Sequence, residues 1–143
     1  MRMSTRAQYA VRAMVDLSLY SGGKPVSMKE IAKREEIPLD YLEQLFHRLK
    51  KGKILKAVRG PSGGYLLARE STEIKIGEIV ELVEEPLNLV TCLDDGGVNC
   101  SRTASCVTQS VWKELGDMIR VFLDSKSLED LTRQARGKIR GEA

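Results

Sequence analysis

Aromatic residues are scarce in this chain, two Phe, four Tyr and one Trp making up 5% of it, and runs of strand-forming residues are few. A sheet-built core draws on such residues, so a mainly β architecture is not expected. No apolar stretch approaches the roughly 18 residues that a membrane span needs. The N-terminus does not show the charged, apolar and small-residue succession of a secretory signal. These two absences predict a protein of the cytoplasm with no membrane partner. Cysteine occurs three times, all between Cys92 and Cys106. An odd count in a reducing compartment excludes a disulfide framework and favours a metal or redox role. There is no Cys-x-x-Cys pair for thiol oxidoreductase chemistry and no glycine-rich phosphate loop opening a helix, so no enzymatic activity is expected.

What the chain does have is helical patterning. It is 143 residues long with 42% hydrophobic and 30% charged residues, enough for one packed domain plus an appended dimerising helix. Leu, Ile, Val and Ala recur at helical spacing over most of its length, which predicts a mainly α protein. The net charge of +3 is modest but unevenly placed. Residues 1–70 hold fourteen Lys and Arg against seven Asp and Glu, whereas residues 71–143 hold nine against thirteen. A basic N-terminal half is the electrostatic footprint of phosphate binding.

Along the chain, a first helix is expected from about Ser4 to Ser21, packing Ala10, Ala13, Met14, Leu17 and Ser18 and stopped by Gly22 and Gly23. Ser27-Met-Lys-Glu30 reads as a reciprocal capping box opening a short helix that ends near Glu36. After Pro38, the apolar residues Leu42, Leu45, Phe46 and Leu49 follow the i, i+3, i+4, i+7 rule of an amphipathic helix. Two short helices joined by a tight turn make a helix-turn-helix, and the second would present Asp40, Glu43, Gln44, His47 and Lys51 as a base-reading face. The single histidine, His47, is read there as a DNA-facing or solvated side chain rather than a ligand.

From Gly52 the pattern changes to strands. Ile54, Leu55 and Val58 form one, Arg59-Gly-Pro-Ser-Gly-Gly64 a turn, and Tyr65-Leu-Leu67 the returning strand. Such a hairpin wing, bare except for Arg59, can approach a sugar–phosphate ridge while the guanidinium enters the minor groove. A short helix follows over 74–85, then Pro86 begins a loop to about Ala104 that carries or borders the cysteines. From Ser105 to about Ser125, Val111, Leu115, Met118 and Phe122 are spaced 4, 3, 4, the seam of a helix packing on a partner helix, widened by Trp112 and Ile119. The expected organisation is a winged helix-turn-helix DNA-binding domain (1–85), a cysteine-containing cluster-binding loop (86–106), and a dimerisation helix with a basic tail (107–143). A twofold homodimer would set two recognition helices on the half-sites of a palindromic double-stranded DNA operator.

Four stretches together resemble the regulator family typified by IscR and NsrR, the Rrf-two family. They are the opening Met1 to Met14, Tyr41-Leu-Glu-Gln-Leu-Phe46, Val58-Arg-Gly-Pro-Ser-Gly-Gly-Tyr65 and Cys106-Val-Thr-Gln-Ser-Val-Trp112. The resemblance runs from Met1 to about Leu131. It implies that Cys92, Cys100 and Cys106 ligate an iron–sulfur cluster, [2Fe–2S] in the IscR-like branch and often [4Fe–4S] in NsrR, the former favoured here. Thiolates are the usual soft ligands of such clusters. The resemblance also implies that Glu43 and Gln44 read bases, that Arg59 enters the minor groove, and that Arg2, Thr5 and Tyr41 lie near phosphates. Ser27, Pro38, Asp40, Arg48, Gly60, Pro61, Ser62, Gly63 and Gly64 complete the expected DNA-binding surface. The implied role is a repressor of iron–sulfur cluster biogenesis or of redox and iron-response genes, with iron–sulfur assembly proteins as candidate partners.

Two departures from the family pattern stand out. The first cysteine gap encloses seven residues, Leu93 to Asn99, instead of the usual five. The position three after the last cysteine, His in IscR-like proteins, is Gln109, and the Asp that NsrR-like proteins carry near the N-terminus is matched by Gln8. The fourth ligand stays open among Gln109, Gln8 of a partner subunit, Asp94, Asp95 and a non-protein ligand. The alternatives are an NsrR-like nitric-oxide sensor, a cluster-free thiol switch, a partner-controlled regulator of the CymR type, and a zinc-binding structural protein. The last would have only three good ligands.

Overall fold

Helix α1 (Thr5–Tyr20) starts where the Ser4 hydroxyl oxygen accepts the Ala7 amide at 3.1 Å, satisfying one donor that a helix start leaves unpaired. Ala7, Ala10 and Ala13 are small enough to let neighbouring elements approach, and with Met14 and Leu17 they make a buried stripe. Ser18, expected in this stripe, is half-buried. Helix α1 is the hub of the fold, packing against helices α2, α3, α4 and α6 introduced below. The structure, a computed structural model, describes residues 1–84, 88–94 and 100–141.

Helix α2 (Met28–Glu35) is capped by Ser27, whose hydroxyl oxygen accepts the Glu30 amide at 3.2 Å. This is the Ser27 half of the expected capping box. The chain then turns through Glu36, in the left-handed region at φ 54°, with the Ile37 amide closing on the Ala32 carbonyl at 3.0 Å. Pro38, which has no amide hydrogen to leave unpaired, leads into α3 (Leu39–Lys51). Leu42, Leu45, Phe46 and Leu49 are buried, as their spacing predicts. Strands β1 (Leu55–Val58) and β2 (Gly64–Leu67) pair antiparallel, from Leu55 opposite Leu67 to Val58 opposite Gly64. The next elements are α4 (Ile76–Val83), a 3₁₀ turn (Thr91–Leu93) and α5 (Thr108–Asp124). The mainly helical, winged helix-turn-helix architecture is therefore as expected. The expected Pro86 loop start, and Asp95 with its glycine neighbours, lie outside the described residues.

The segment expected to be a basic tail is different. Residues Leu128–Ile139 form a further helix, α6, which packs along α1. It opens with a reciprocal capping box: the Asp130 amide donates to Ser127 Oγ at 3.1 Å and the Ser127 amide to Asp130 Oδ2 at 2.9 Å. Before it, the chain pairs with the strand-like segment ahead of α4, with Leu128 N to Ile74 O at 2.8 Å and Ile76 N to Lys126 O at 2.9 Å. Leu128 is fully buried beside Ile74 in the main core. The core is thus closed by an element from the far end of the chain.

Among the described residues a carboxylate also lies inside. Asp16 is buried on α1, and its carboxylate accepts a two-pronged pair from Arg34 of α2, at 2.9 Å from Nε and 2.8 Å from Nη2. The guanidinium stacks 4.2 Å from the centre of the Tyr20 ring. The outer end of this array is Glu35, whose side chain pairs with Arg12 at 3.4 Å.

Candidate nucleic-acid interface

The amphipathic pattern of α3 decides what its outer face shows. With four apolar residues turned inward, Asp40, Glu43, Gln44, His47, Arg48 and Lys51 are left exposed. Asp40, Glu43, Gln44, His47 and Arg48 line one open depression. Arg48 does more than face outward: its Nη1 donates to the Val83 carbonyl at 3.0 Å, tying α3 to the last turn of α4. Tyr41 is half-buried, its ring edge-on to Tyr9 at 5.7 Å.

The wing is held in fixed relation to α3. Val26 and Tyr65 exchange backbone hydrogen bonds of 3.0 and 2.8 Å, so the chain entering α2 is attached to β2. The Tyr65 ring meets buried Phe46 of α3 edge-on at 5.1 Å. At the tip, Arg59, Gly60, Pro61 and Ser62 are exposed, and Gly60, at φ 111°, lets the Gly63 amide reach back to its carbonyl at 2.9 Å. A Cβ at Gly64 would collide with the Val26 carbonyl, so glycine there is needed for the close approach of wing and helix-turn-helix. Ser27 and Pro38 lie at the starts of α2 and α3, whereas Arg2 and Thr5 lie exposed at the start of α1.

The cysteines sit on a separate part of the chain. Cys92 is half-buried in the 3₁₀ turn, Cys100 is exposed, and Cys106 is half-buried two residues before α5. Cys106 Sγ lies 3.3 Å from the Thr108 hydroxyl. That hydrogen bond, helped by the Gln109 and Thr108 amides, holds the Cys106 thiol below the usual cysteine range. Among the described residues, no three Cys, His, Asp or Glu side chains are gathered closely enough to share a metal ion. Of the fourth-ligand candidates, Gln109 is half-buried in the first turn of α5, Asp94 accepts from Asn88 at 3.1 Å, and Gln8 donates to the Met3 carbonyl at 3.0 Å.

Comparison with known proteins decides the class. A family model described as Rrf2, iron-dependent transcriptional regulator, matches residues 3–134. This chain belongs to the Rrf2 family. The HTH-type transcriptional regulator IscR of Photorhabdus laumondii is 42% identical over 131 residues, covering 92% of this chain and 79% of the relative. The solved structure of T. potens IscR has a TM-score of 0.75 at 39% identity, over 94% of this chain and 88% of that one. CymR, the global cysteine regulator of B. subtilis, follows with 0.74 at 32% identity, over 94% and 98%.

As an Rrf2 protein the chain is a DNA-binding transcriptional regulator and not an enzyme. Among the described residues no helix is long and apolar enough to cross a membrane. Sequence reasoning missed α6, although Ser127-Leu-Glu-Asp130 carries a capping signal. It also missed the Arg48 link to α4, which has no local signature because the partners are 35 residues apart.

Proposed function

We propose that this Rrf2 regulator binds a palindromic double-stranded DNA operator in the cytoplasm as a homodimer and takes its signal from an iron–sulfur cluster held by Cys92, Cys100 and Cys106. The observation that carries the reading is the division of labour along the chain. One rigid unit presents α3 and the wing, and all three thiols lie on the segment that leads into α5. Helix α5 supplies the dimer seam: Val111, Trp112, Met118, Val121 and Phe122 are 41–70% exposed on a helix that touches its own subunit chiefly through α4. Such an apolar stripe is what a twofold interface covers.

The donor set suits an iron–sulfur cluster, being three soft thiols of which Cys106 is already biased toward thiolate by its neighbours. A bound cluster would supply a redox- and iron-responsive centre, [2Fe–2S] being preferred. An amide such as Gln109 or Gln8, or a carboxylate such as Asp94 or Asp95, as fourth ligand would make it more labile than a four-thiolate site. On the DNA side, Glu43 and Gln44 read base edges and Arg59 enters the minor groove. Arg2, Thr5 and Tyr41 lie near phosphates and fix the register, and Ser27, Pro38, Asp40, Arg48 and the wing residues Gly60 to Gly64 complete the DNA-binding surface. The regulated genes would serve iron–sulfur biogenesis or redox and iron responses, under repression.

The experiment is a visible spectrum with iron and sulfide analysis on protein purified without oxygen, beside a Cys92→Ala variant. Matching iron and sulfide with charge-transfer bands, lost in the variant, supports the cluster. A colourless protein that resists reconstitution yet binds DNA favours the second reading, a CymR-type thiol or partner-controlled switch. The specific observation behind that second reading is Cys106 Sγ, within 3.3 Å of the Thr108 hydroxyl, on a fold similar to that of CymR.

A further inference from the structure

Among the described residues, the Asn88 side chain links the Cys92 turn to α5. Its Nδ2 donates to the Leu93 carbonyl at 2.9 Å and to Asp94 Oδ1 at 3.1 Å, closing the 3₁₀ turn that carries Cys92. Its Oδ1 accepts from Arg120 Nη2 of α5 at 3.0 Å. The amide orientation is forced, because two acceptors lie on one side and a guanidinium, which can only donate, on the other. Arg120 is itself fixed by Asp117 on its own helix at 3.2 Å and reaches Glu81 of α4 at 3.9 Å. Two residues further along α4, the Val83 carbonyl accepts from Arg48 of α3. Polar contacts therefore run from the cysteine turn through α5 to Glu81 of α4, and two residues along that same helix a second contact joins α4 to the exposed face of α3.

We propose that Asn88 and Arg120 are positioning residues that couple the Cys92 turn to the DNA-facing helix. The proposal rests on the reading above for the signal it carries, but the link itself belongs to this chain's own side chains and is testable without a cluster. When the turn shifts, Asn88 must give up either its turn acceptors or Arg120. A freed Arg120 changes the hold of α5 on α4, and hence the carbonyl that orients Arg48. Such a contact network acts as an energetic connection only if removing either member has the same distant effect.

The first readout uses cluster-free protein. Iodoacetamide labelling rates are followed by peptide mass spectrometry in the parent, Asn88→Ala and Arg120→Ala, with the Cys106 rate and the thermal midpoint as controls. Both variants should raise Cys92 labelling, about fivefold in Arg120→Ala, the factor that corresponds to one lost hydrogen bond of ordinary strength, and by more in Asn88→Ala, which loses three, while the Cys106 rate stays at the parent value. The second readout is the ratio of operator affinities of cluster-loaded and cluster-free protein. A coupling in the usual range gives the parent a ratio of about 5- to 150-fold, and either variant should bring it close to one with iron and sulfide content unchanged. Parent-like Cys92 labelling in Arg120→Ala, or a parent-like affinity ratio in both variants, would overturn the proposal. A parent whose ratio is already one would sink cluster sensing instead, and the labelling rates would still decide the link.

Discussion

Removing Arg34 should destabilise this protein more than removing the buried Asp16 that it serves. The Asp16 side chain has no exposure to water, whereas that of Arg34 is 32% exposed. In Arg34→Ala the carboxylate stays buried after losing both donors, and leaving such a charge uncompensated costs about 3 kcal/mol, the low end of the usual range because water can enter from the exposed Arg34 side. In Asp16→Ala the guanidinium can turn to solvent while keeping its stack on Tyr20, so the loss is about 2 kcal/mol for charge-assisted hydrogen bonds. The double variant no longer holds a buried carboxylate and should lie close to Asp16→Ala alone. Urea unfolding followed by circular dichroism, with slopes checked for constancy, gives the three values. The reasoning is refuted if the single losses add in the double variant, or if Arg34→Ala is the milder change.

The remaining expectations concern α6, the DNA face and pH. Leu128→Ala should cost about 2–5 kcal/mol because it opens a cavity in the main core; a change below 0.5 kcal/mol in the same unfolding assay would mean α6 is not part of that core. Arg59→Ala should weaken operator binding and lower the slope of log affinity against log salt by about 1, as read by fluorescence anisotropy, and an unchanged slope would remove Arg59 from the interface. Glu43→Ala should broaden site recognition, since a carboxylate repels phosphate and acceptor edges while accepting from cytosine; unchanged selectivity on a binding array would exclude that role. Burial, then the hydrogen bond and charge of Asp16, push the Glu35 carboxyl above its usual range against the opposing pull of Arg12. The folded state thus holds the Glu35 proton more tightly, so this contribution to stability is full below the ordinary glutamate range and is lost as pH rises through the raised value. Glu35→Gln should flatten that fall in urea midpoints between acid and neutral pH. Glu129, held low by Ser71 and Arg136, acts in the opposite sense, its contribution being lost as pH falls.

Much of the fold was legible in the chain because its signals are local. Helix α3 announces itself through Leu42, Leu45, Phe46 and Leu49, the wing through the glycine-rich turn between Val58 and Tyr65, and the cysteine segment through its crowding. In each case a few consecutive residues fix the backbone or the buried face, so periodicity and turn chemistry suffice. The α5 stripe was equally legible, and the structure leaves most of it exposed on this chain.

Tertiary structure alone decided the rest, because the deciding partners are far apart in sequence. Whether residues 128–139 trail in water or close the core depends on Ile74 meeting Leu128, and no local pattern encodes that pairing. An aspartate in the middle of α1 reads as a solvated residue until α2 brings Arg34 over it. Asn88 reads as a loop residue until α5 returns Arg120 to its carbonyl oxygen. The sequence determined which elements form and which faces they offer; packing determined which polar groups meet across them, as Asp16 meets Arg34 and Asn88 meets Arg120.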